Sequence, residues 1–192
     1  MGGISAKGIG IVGARVLPSD FRGQVSDVVQ YLLTRGYDIH SGGALGADMY
    51  TLEAVLARGA YSRTLILSAW SSVVGFPRIV QPLIEHYRRH GGRISWGSVQ
   101  PYDDRQKVVH GLLSRNKRLV RSVIGLVAFL YSESRGTTNT VLEAIKRGIK
   151  IVVFVCGGNA KLPVVKNGVW QKLSCSGCWS GAYVFKRAAE PK

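Results

Sequence analysis

The chain alternates short apolar runs with segments of helical spacing, and this alternation constrains its fold more than any other feature. Apolar runs predict buried strands at residues 9–13, 37–40, 64–68, 124–131 and 150–155, with a further short strand at 94–96. Helical periodicity predicts helices at residues 21–35, 49–58, 79–90, 104–121 and 138–147. Strands and helices in this order predict an α/β protein with a doubly wound, mostly parallel sheet and helices on both faces.

The length of the chain and the change in composition near its end predict the domain organisation. A chain of 192 residues suits one α/β domain with a short appendage. Residues 1–158 contain all the predicted parallel strands and form one nucleotide- or nucleic-acid-binding domain. Residues 159–192 mix aromatic with turn-forming residues, so we expect a small C-terminal β appendage such as a hairpin, frayed at residues 190–192.

The charge of the chain indicates anionic partners. Lysine and arginine number 26 against 11 aspartate and glutamate residues, a formal net charge of +15. Such a field attracts polyanions at long range, so nucleic acid, nucleotides or an anionic surface are the expected ligands. No apolar stretch approaches the ~20 residues of a membrane helix, no secretory signal is visible, and three cysteines suit a reducing compartment. We therefore expect a cytoplasmic protein with no membrane partner.

The segment SGGALGAD, at residues 41–48, joins the second predicted strand to the second predicted helix. Small residues bring the backbone close to a ligand, and the N–H groups of such a turn favour a phosphate. The predicted phosphate contacts are Ser41, Gly42, Gly43 and Gly46. Asp48 would bind a ribose hydroxyl or stabilise the helix N-terminus. The alternative is a tight turn whose glycines serve packing alone.

Two further loops follow predicted strands and carry polar or glycine residues. Because ligands bind over the carboxyl ends of parallel strands, we expect these loops to lie near the SGGALGAD segment. Simple helix capping is the alternative for the second loop, since threonine and asparagine are good N-caps. The predicted phosphate or nucleic-acid contacts in the two loops are Gly13, Arg15, Arg135, Gly136, Thr137 and Thr138.

A basic run, Arg115-Asn116-Lys117-Arg118, lies on the predicted helix before the strand at 124–131. Residues three apart share a helix face, so Arg115 and Arg118 suit a clamp for phosphate or carboxylate. The alternative is a solvated basic face. We include all four residues among the predicted anion contacts.

One acidic residue and one cysteine pair complete the candidates. Glu143 could act as a general base or contact a ribose, or it could pair with Lys146 or Arg147 at the surface. Cys175 and Cys178 form a C-x-x-C motif without a second such motif. Two reduced thiols in a turn are the simplest interpretation, although a zinc site completed by a distant histidine or between molecules stays open. We predict no cofactor and no metal ligands.

Taken together, these motifs resemble the DNA-processing protein A family. The resemblance covers about residues 8–158 and rests on IVGAR at 11–15, SGGALGAD at 41–48, RNKR at 115–118 and the Gly136-Thr137 loop. It implies a Rossmann-like domain, frequently dimeric, that binds single-stranded DNA in a basic pocket and helps to load a recombinase. The Gly-Thr…Glu pattern from Gly136-Thr137 to Glu143 also resembles that of the Lonely Guy phosphoribohydrolases of the same superfamily, with a spacing that is three residues longer here.

We therefore predict a non-enzymatic binder of single-stranded nucleic acid, with Trp70 and Trp96 as candidate stacking platforms. The first alternative is a nucleotide-binding protein of the Lonely Guy type. It would either hydrolyse the N-glycosidic bond of a nucleoside monophosphate with Glu143 as base, or sense a nucleotide signal without cleaving it. The second alternative is a basic structural subunit of a nucleoprotein assembly.

Overall fold

A computed structural model describes residues 7–188 of the chain. The predictions for the two ends, an N-terminus without a secretory signal and fraying at 190–192, lie outside these residues. The strands are β1 (Gly8–Gly13), β2 (Asp38–Ser41), β3 (Thr64–Leu67), β4 (Arg93–Ser95), β5 (Gly125–Leu130), β6 (Lys150–Val155), β7 (Gly168–Lys172) and β8 (Ala182–Arg187). The helices are α1 (Arg22–Thr34), α2 (Ala47–Ala57), α3 (Gln81–Arg89), α4 (Arg105–Arg121) and α5 (Arg135–Arg147).

All eight strands form one sheet in the order β4-β3-β2-β1-β5-β6-β8-β7. The six strands from β1 to β6 pair in parallel, whereas β8 is antiparallel to both β6 and β7. This arrangement confirms the predicted Rossmann-like α/β fold with a mostly parallel sheet. The two antiparallel strands come from the segment predicted as a β appendage, and they extend the same sheet at one edge.

The sheet is buried on both faces, as the side chains of β5 illustrate. Val127 and Phe129 pack into the core on the face covered by α1, α2 and α3. Leu126, Ala128 and Leu130 point to the opposite face and pack with residues of α4 and α5. Every residue of β5 is buried, because successive side chains of a strand alternate between two covered faces.

The strand order reverses between β1 and β5. After β1 the chain builds outward through β2, β3 and β4, and it then returns to the other side of β1 to form β5. The backbone N–H of Ala14, just after β1, donates to Phe129 O at 2.9 Å and keeps the two strand ends together. A reversal of this kind opens a crevice at the carboxyl ends of the strands, where α/β proteins bind ligands.

Helix α5 begins three residues earlier than predicted, at Arg135 rather than 138. The backbone N–H of Thr138 donates to Ser134 O at 2.9 Å, so the helical hydrogen bonds already start there. The hydroxyls of Ser134 and Thr137 also share a hydrogen bond of 2.6 Å. Thr137 and Thr138 therefore lie in the first turn of the helix and not in the preceding loop. At the other end, Gly148 adopts a left-handed conformation and ends the helix, as predicted.

Candidate functional site

A pocket of about 530 Å³ lies over the carboxyl ends of β1 and β5, at the reversal in strand order. One wall is the loop after β1, and a second wall is the loop after β5 with the first turn of α5. The third wall is the central part of α4, while Ala44 and Asp48 form the floor. The predicted site residues that line this pocket are Gly13, Arg15, Asp48, Arg115, Asn116, Arg135, Gly136 and Thr137.

The N-terminus of α5 opens into the pocket. The N–H groups in the first turn of a helix have no acceptor within the helix, and the helix dipole places partial positive charge there. Gly136 is exposed, and a Cβ atom at this position would contact nothing within 4 Å. Thr140 is buried and donates its hydroxyl to Gly136 O at 2.9 Å. This wall therefore offers an anion exposed backbone donors with space above them.

Arg115 and Asp48 form the base of the pocket. Arg115 Nη1 of α4 lies 3.6 Å from Asp48 Oδ2 of α2, and both side chains are buried. Asp48 Oδ2 also accepts a hydrogen bond of 3.3 Å from the backbone N–H of Ala44. Within residues 7–188, Asp48 Oδ1 and Arg115 Nε are buried without a hydrogen-bond partner. The pair thus keeps unused hydrogen-bonding capacity on each side chain.

Burial and charge act in opposite directions on this pair. Burial raises the pKa of the Asp48 carboxyl, and the Arg115 guanidinium and the backbone N–H of Ala44 oppose that rise. Burial likewise lowers the pKa of Arg115, and the Asp48 carboxylate opposes that fall. Each charge therefore offsets part of the desolvation cost of the other, and the loss of either one would leave an uncompensated buried ion.

The glycines of the SGGALGAD segment lie beneath the pocket rather than along it. A Cβ atom at Gly42 would overlap the Arg115 guanidinium, and one at Gly46 would overlap Ala14 O. A Cβ atom at Gly43 would lie 2.7 Å from the Phe76 ring. Gly43 and Gly46 also have positive φ angles of 68° and 69°, which favour glycine. Ser41 is fully buried below them. These residues let Arg115 and the loop after β1 approach the segment closely.

The four residues of the basic run divide between different surroundings. Arg115 and Asn116 line the pocket, whereas Lys117 is exposed and does not. Arg118 Nη1 donates to Ser95 Oγ at 3.1 Å and to Trp96 O at 3.2 Å, and its Nη2 donates to Ser68 O. The guanidinium of Arg118 therefore connects α4 to the ends of β3 and β4, while that of Arg115 reaches Asp48.

Comparison with known proteins decides the family. The model of the DNA recombination-mediator protein A family matches residues 3–175. The chain belongs to this family. Among curated proteins, none matches the chain.

Solved structures show the same fold. The structure of DNA processing protein A (DprA) from Streptococcus pneumoniae matches with a TM-score of 0.64 and 19% identity, over 81% of this chain. The chain spans about half of that protein, 52% of its length. The Helicobacter pylori protein, whose structure was described for its single-stranded DNA binding mode, matches with a TM-score of 0.64 and 19% identity over 82% of this chain and 69% of that one. A molybdenum cofactor binding protein from Rippkaea orientalis matches with a TM-score of 0.55 and 14% identity over 79% of this chain and 78% of that one.

Several residues that were predicted to belong to the site lie away from the pocket. Glu143 is half-buried on α5 and pairs with Lys146, with Nζ 3.2 Å from Oε1. Trp96 packs edge-on against Phe76 at 6.1 Å, and neither it nor Trp70 lines the pocket. Thr138 also lies outside the lining residues. Their sequence positions after strands or near glycines did not specify where the side chains point.

The apolar wall of the pocket could not be recognised from the sequence. Val109, Leu112 and Leu113 of α4 line it, and Val109 and Leu113 are exposed by 47% and 41%. Tyr131 and Ser132, which directly follow β5, line it as well. The position of Ser132 after the strand predicted at 124–131 was an available signal, whereas Tyr131 was predicted to be the last residue of that strand. The α4 wall could not be found in this way, because apolar residues at helical spacing are usually interpreted as core.

Within residues 7–188, every helix is too short or too polar to span a lipid bilayer.

Proposed function

We propose that this protein binds single-stranded nucleic acid, with phosphates held over the carboxyl ends of β1 and β5. One observation carries the proposal: the N-terminus of α5 and the exposed residues Arg15 and Arg135 line one pocket at the reversal in strand order. Backbone donors and exposed guanidinium groups are the partners that phosphates prefer. The net charge of +15 adds long-range attraction for a polyanion.

The relatives support this choice of ligand. The family is described as a recombination mediator, and the structure of the Helicobacter pylori protein was described for its single-stranded DNA binding mode. In this chain Arg115 is neutralised by Asp48, so we assign the direct phosphate contacts to Arg15, Arg135 and the first turn of α5. Asn116 would add an amide contact from the α4 wall. Gly42, Gly43 and Gly46 would act indirectly, because they leave room for the buried Arg115–Asp48 ion pair.

The test is a fluorescence-anisotropy titration of the full chain against oligo-dT of increasing length at several salt concentrations. Affinity should rise with length and fall steeply with salt, because phosphate contacts release counterions. Arg135→Ala should weaken binding and reduce the salt dependence of the binding constant by about the amount expected for one lost phosphate contact. Arg93→Ala is the matched control, since Arg93 is exposed at the opposite, amino end of the sheet. Binding of a mononucleotide but not of oligo-dT at low salt would refute the proposal.

A nucleotide-binding function of the Lonely Guy type is the second candidate. A volume of about 530 Å³ with one apolar wall lies within the ~300–1,000 Å³ range of small-molecule sites. Hydrolysis with Glu143 as general base would require this side chain to move, because it lies outside the pocket lining and pairs with Lys146. A nucleoside monophosphate would then release its free nucleobase in a Glu143-dependent manner. If it is a sensor, the nucleotide would bind unchanged. Incubation with nucleoside monophosphates, followed by chromatography and a Glu143→Ala comparison, separates these outcomes.

The family membership also supports three wider proposals. We place the protein in the cytoplasm, as a homodimer that assists a recombinase on single-stranded DNA. Light scattering of the purified chain tests the dimer, and a strand-exchange assay with a bacterial recombinase tests the partner. If the chain binds neither oligonucleotides nor nucleotides in isolation, the remaining candidate is a basic structural subunit of a nucleoprotein assembly.

A further inference from the structure

Two thiols lie on the loop that joins β7 to β8, and the pocket does not use them. Cys175 and Cys178 are both free, and they are exposed and partly buried, respectively. The third cysteine, Cys156, is buried at the end of β6. The spacing C-x-x-C is the one that commonly places two thiolates on a single zinc ion.

The turn between the two cysteines contains a glycine in the left-handed conformation. Gly177 has a φ of 74°, and a Cβ atom there would contact nothing within 4 Å. Glycine is therefore favoured at this position by the left-handed backbone and not by crowding. The Cys175 thiol lies 3.5 Å from Trp179 O, the carbonyl that follows Cys178. The Cys175 sulfur thus folds back over the turn that carries the second thiol.

The rest of the protein holds this loop in place. The Trp179 ring packs edge-on against Tyr31 of α1 at 5.4 Å and stacks with Phe154 of β6 at 6.1 Å. Gln24 of α1 donates its side-chain amide to Ser180 O at 3.4 Å. These contacts fix the chain directly after Cys178, so this part of the loop loses little conformational freedom when a ligand binds.

One chain supplies only half of a zinc site at this position. Zinc in structural sites takes four protein ligands in a tetrahedron, chiefly cysteine and histidine. Across the described part of the chain, no group of three or more histidine, cysteine or acidic residues is placed to hold a metal ion. The site is therefore incomplete unless a second molecule contributes ligands.

We propose that Cys175 and Cys178 are half of a zinc site that a second copy of this chain completes. One Zn²⁺ would bind four thiolates, two from each copy, across a two-fold axis on which both chains present the same loop. Each thiol gives up its proton to solvent on binding, so four protons leave for each zinc bound. The resulting site carries a net charge of −2.

The test measures metal content and mass on the full chain, kept reduced with a phosphine. After Zn²⁺ is added and the excess removed, we expect half a zinc per chain and, by light scattering, a larger mass than that of the same protein after a chelator has removed the metal. Cobalt(II) in place of zinc should give intense sulfur-to-metal absorption in the near ultraviolet and tetrahedral bands in the visible. Cys175→Ser and Cys178→Ser should each abolish both signals, whereas Ser176→Ala, in the same loop, should keep them.

Each other outcome overturns the proposal. One zinc per monomer would mean that ligands from the same chain complete the site. Zinc binding that survives both cysteine substitutions would place the metal elsewhere. A cobalt spectrum without sulfur-to-metal absorption, measured on the unmodified chain, would exclude the thiolates even if a variant failed to fold.

Discussion

Arg115 of α4 reaches across the carboxyl edge of the sheet to Asp48 of α2, with Nη1 3.6 Å from Oδ2. The two helices pack on opposite faces of the sheet, so this buried ion pair connects both layers beneath the pocket. It contributes to the fold and to the candidate site at once. Substitutions can separate its contribution to stability from its contribution to binding.

Replacement of Arg115 with alanine should lower the free energy of unfolding by about 3–5 kcal/mol, because Asp48 would remain buried without its counter-charge. Urea denaturation followed by circular dichroism measures this loss. Arg88→Ala is the control, since Arg88 pairs with Glu85 at 3.0 Å on the exposed surface of α3 and should cost at most ~1 kcal/mol. Equal losses in the two variants would contradict the prediction.

Gly42→Ala should destabilise the protein by about 1–3 kcal/mol, because the added methyl group would overlap the Arg115 guanidinium and force it to move. Gly23→Ala is the comparison within α1, where a Cβ atom would contact nothing within 4 Å. That change should leave stability the same or raise it by up to ~1 kcal/mol. Thermal melts of the two variants measure the difference in stability. If Gly42→Ala left the stability unchanged, the close approach of the Arg115 guanidinium to Gly42 would be contradicted.

His40 makes stability depend on pH. Burial lowers the pKa of His40 below its ordinary value of 6.5. The negative charge of Asp38 partly opposes this decrease, and the positive charge of Arg93 adds to it. Its Nδ1 lies 2.8 Å from Ser122 Oγ, which donates to Leu119 O and therefore accepts the histidine proton. The unfolded chain binds more protons than the folded one between the lowered pKa and 6.5, so stability should fall as the pH drops below 6.5.

Urea titrations at pH 7.5 and at pH values below 6.5 measure this dependence. His40→Gln should flatten the pH dependence, whatever its effect on stability at neutral pH. His110→Gln, at an exposed position of α4, should keep the dependence of the unmodified protein. If stability depended on pH in the same way in all three proteins, groups other than His40 would cause the loss of stability in acid.

Alanine substitutions at Arg118 and Arg135 should separate effects on protein stability from effects on oligonucleotide binding. Arg118→Ala removes charged hydrogen bonds to Ser68 O, Ser95 Oγ and Trp96 O, and it should cost about 1.5–3 kcal/mol of stability. Arg135→Ala removes an exposed cation at the pocket mouth and should leave stability within ~0.5 kcal/mol while it weakens oligo-dT binding. Denaturation and anisotropy on the same preparations compare the two. Loss of binding without loss of stability in Arg118→Ala would reverse the assignment.

The order of helices and strands could be predicted because apolar periodicity reports burial directly. The fully buried β5 and the amphipathic α1 are the clearest examples. Local sequence also indicated a C-terminal hairpin, but the pairing of β8 with β6 depends on which sheet edge is free. No pattern within residues 159–192 carries that information.

The site was predictable in place but not in detail. Strand ends and glycines indicated the carboxyl edge, yet the same SGGALGAD segment suits a phosphate turn and a close-packed floor equally well. Arg115 and Arg118 differ by three residues on one helix, and only the position of α4 over the sheet sends one guanidinium to Asp48 and the other to Ser68. Tertiary packing decides such side-chain directions, and sequence spacing alone cannot.

The strand order has a consequence for synthesis on the ribosome. Strands β7 and β8 are translated after β6, yet β8 covers its outer edge and β7 then pairs with β8. While this hairpin is still inside the exit tunnel, β6 presents unpaired backbone donors and acceptors beside apolar side chains. Open edges of this kind recruit other chains. The growing polypeptide is therefore exposed to edge-to-edge aggregation between the emergence of β6 and that of β8.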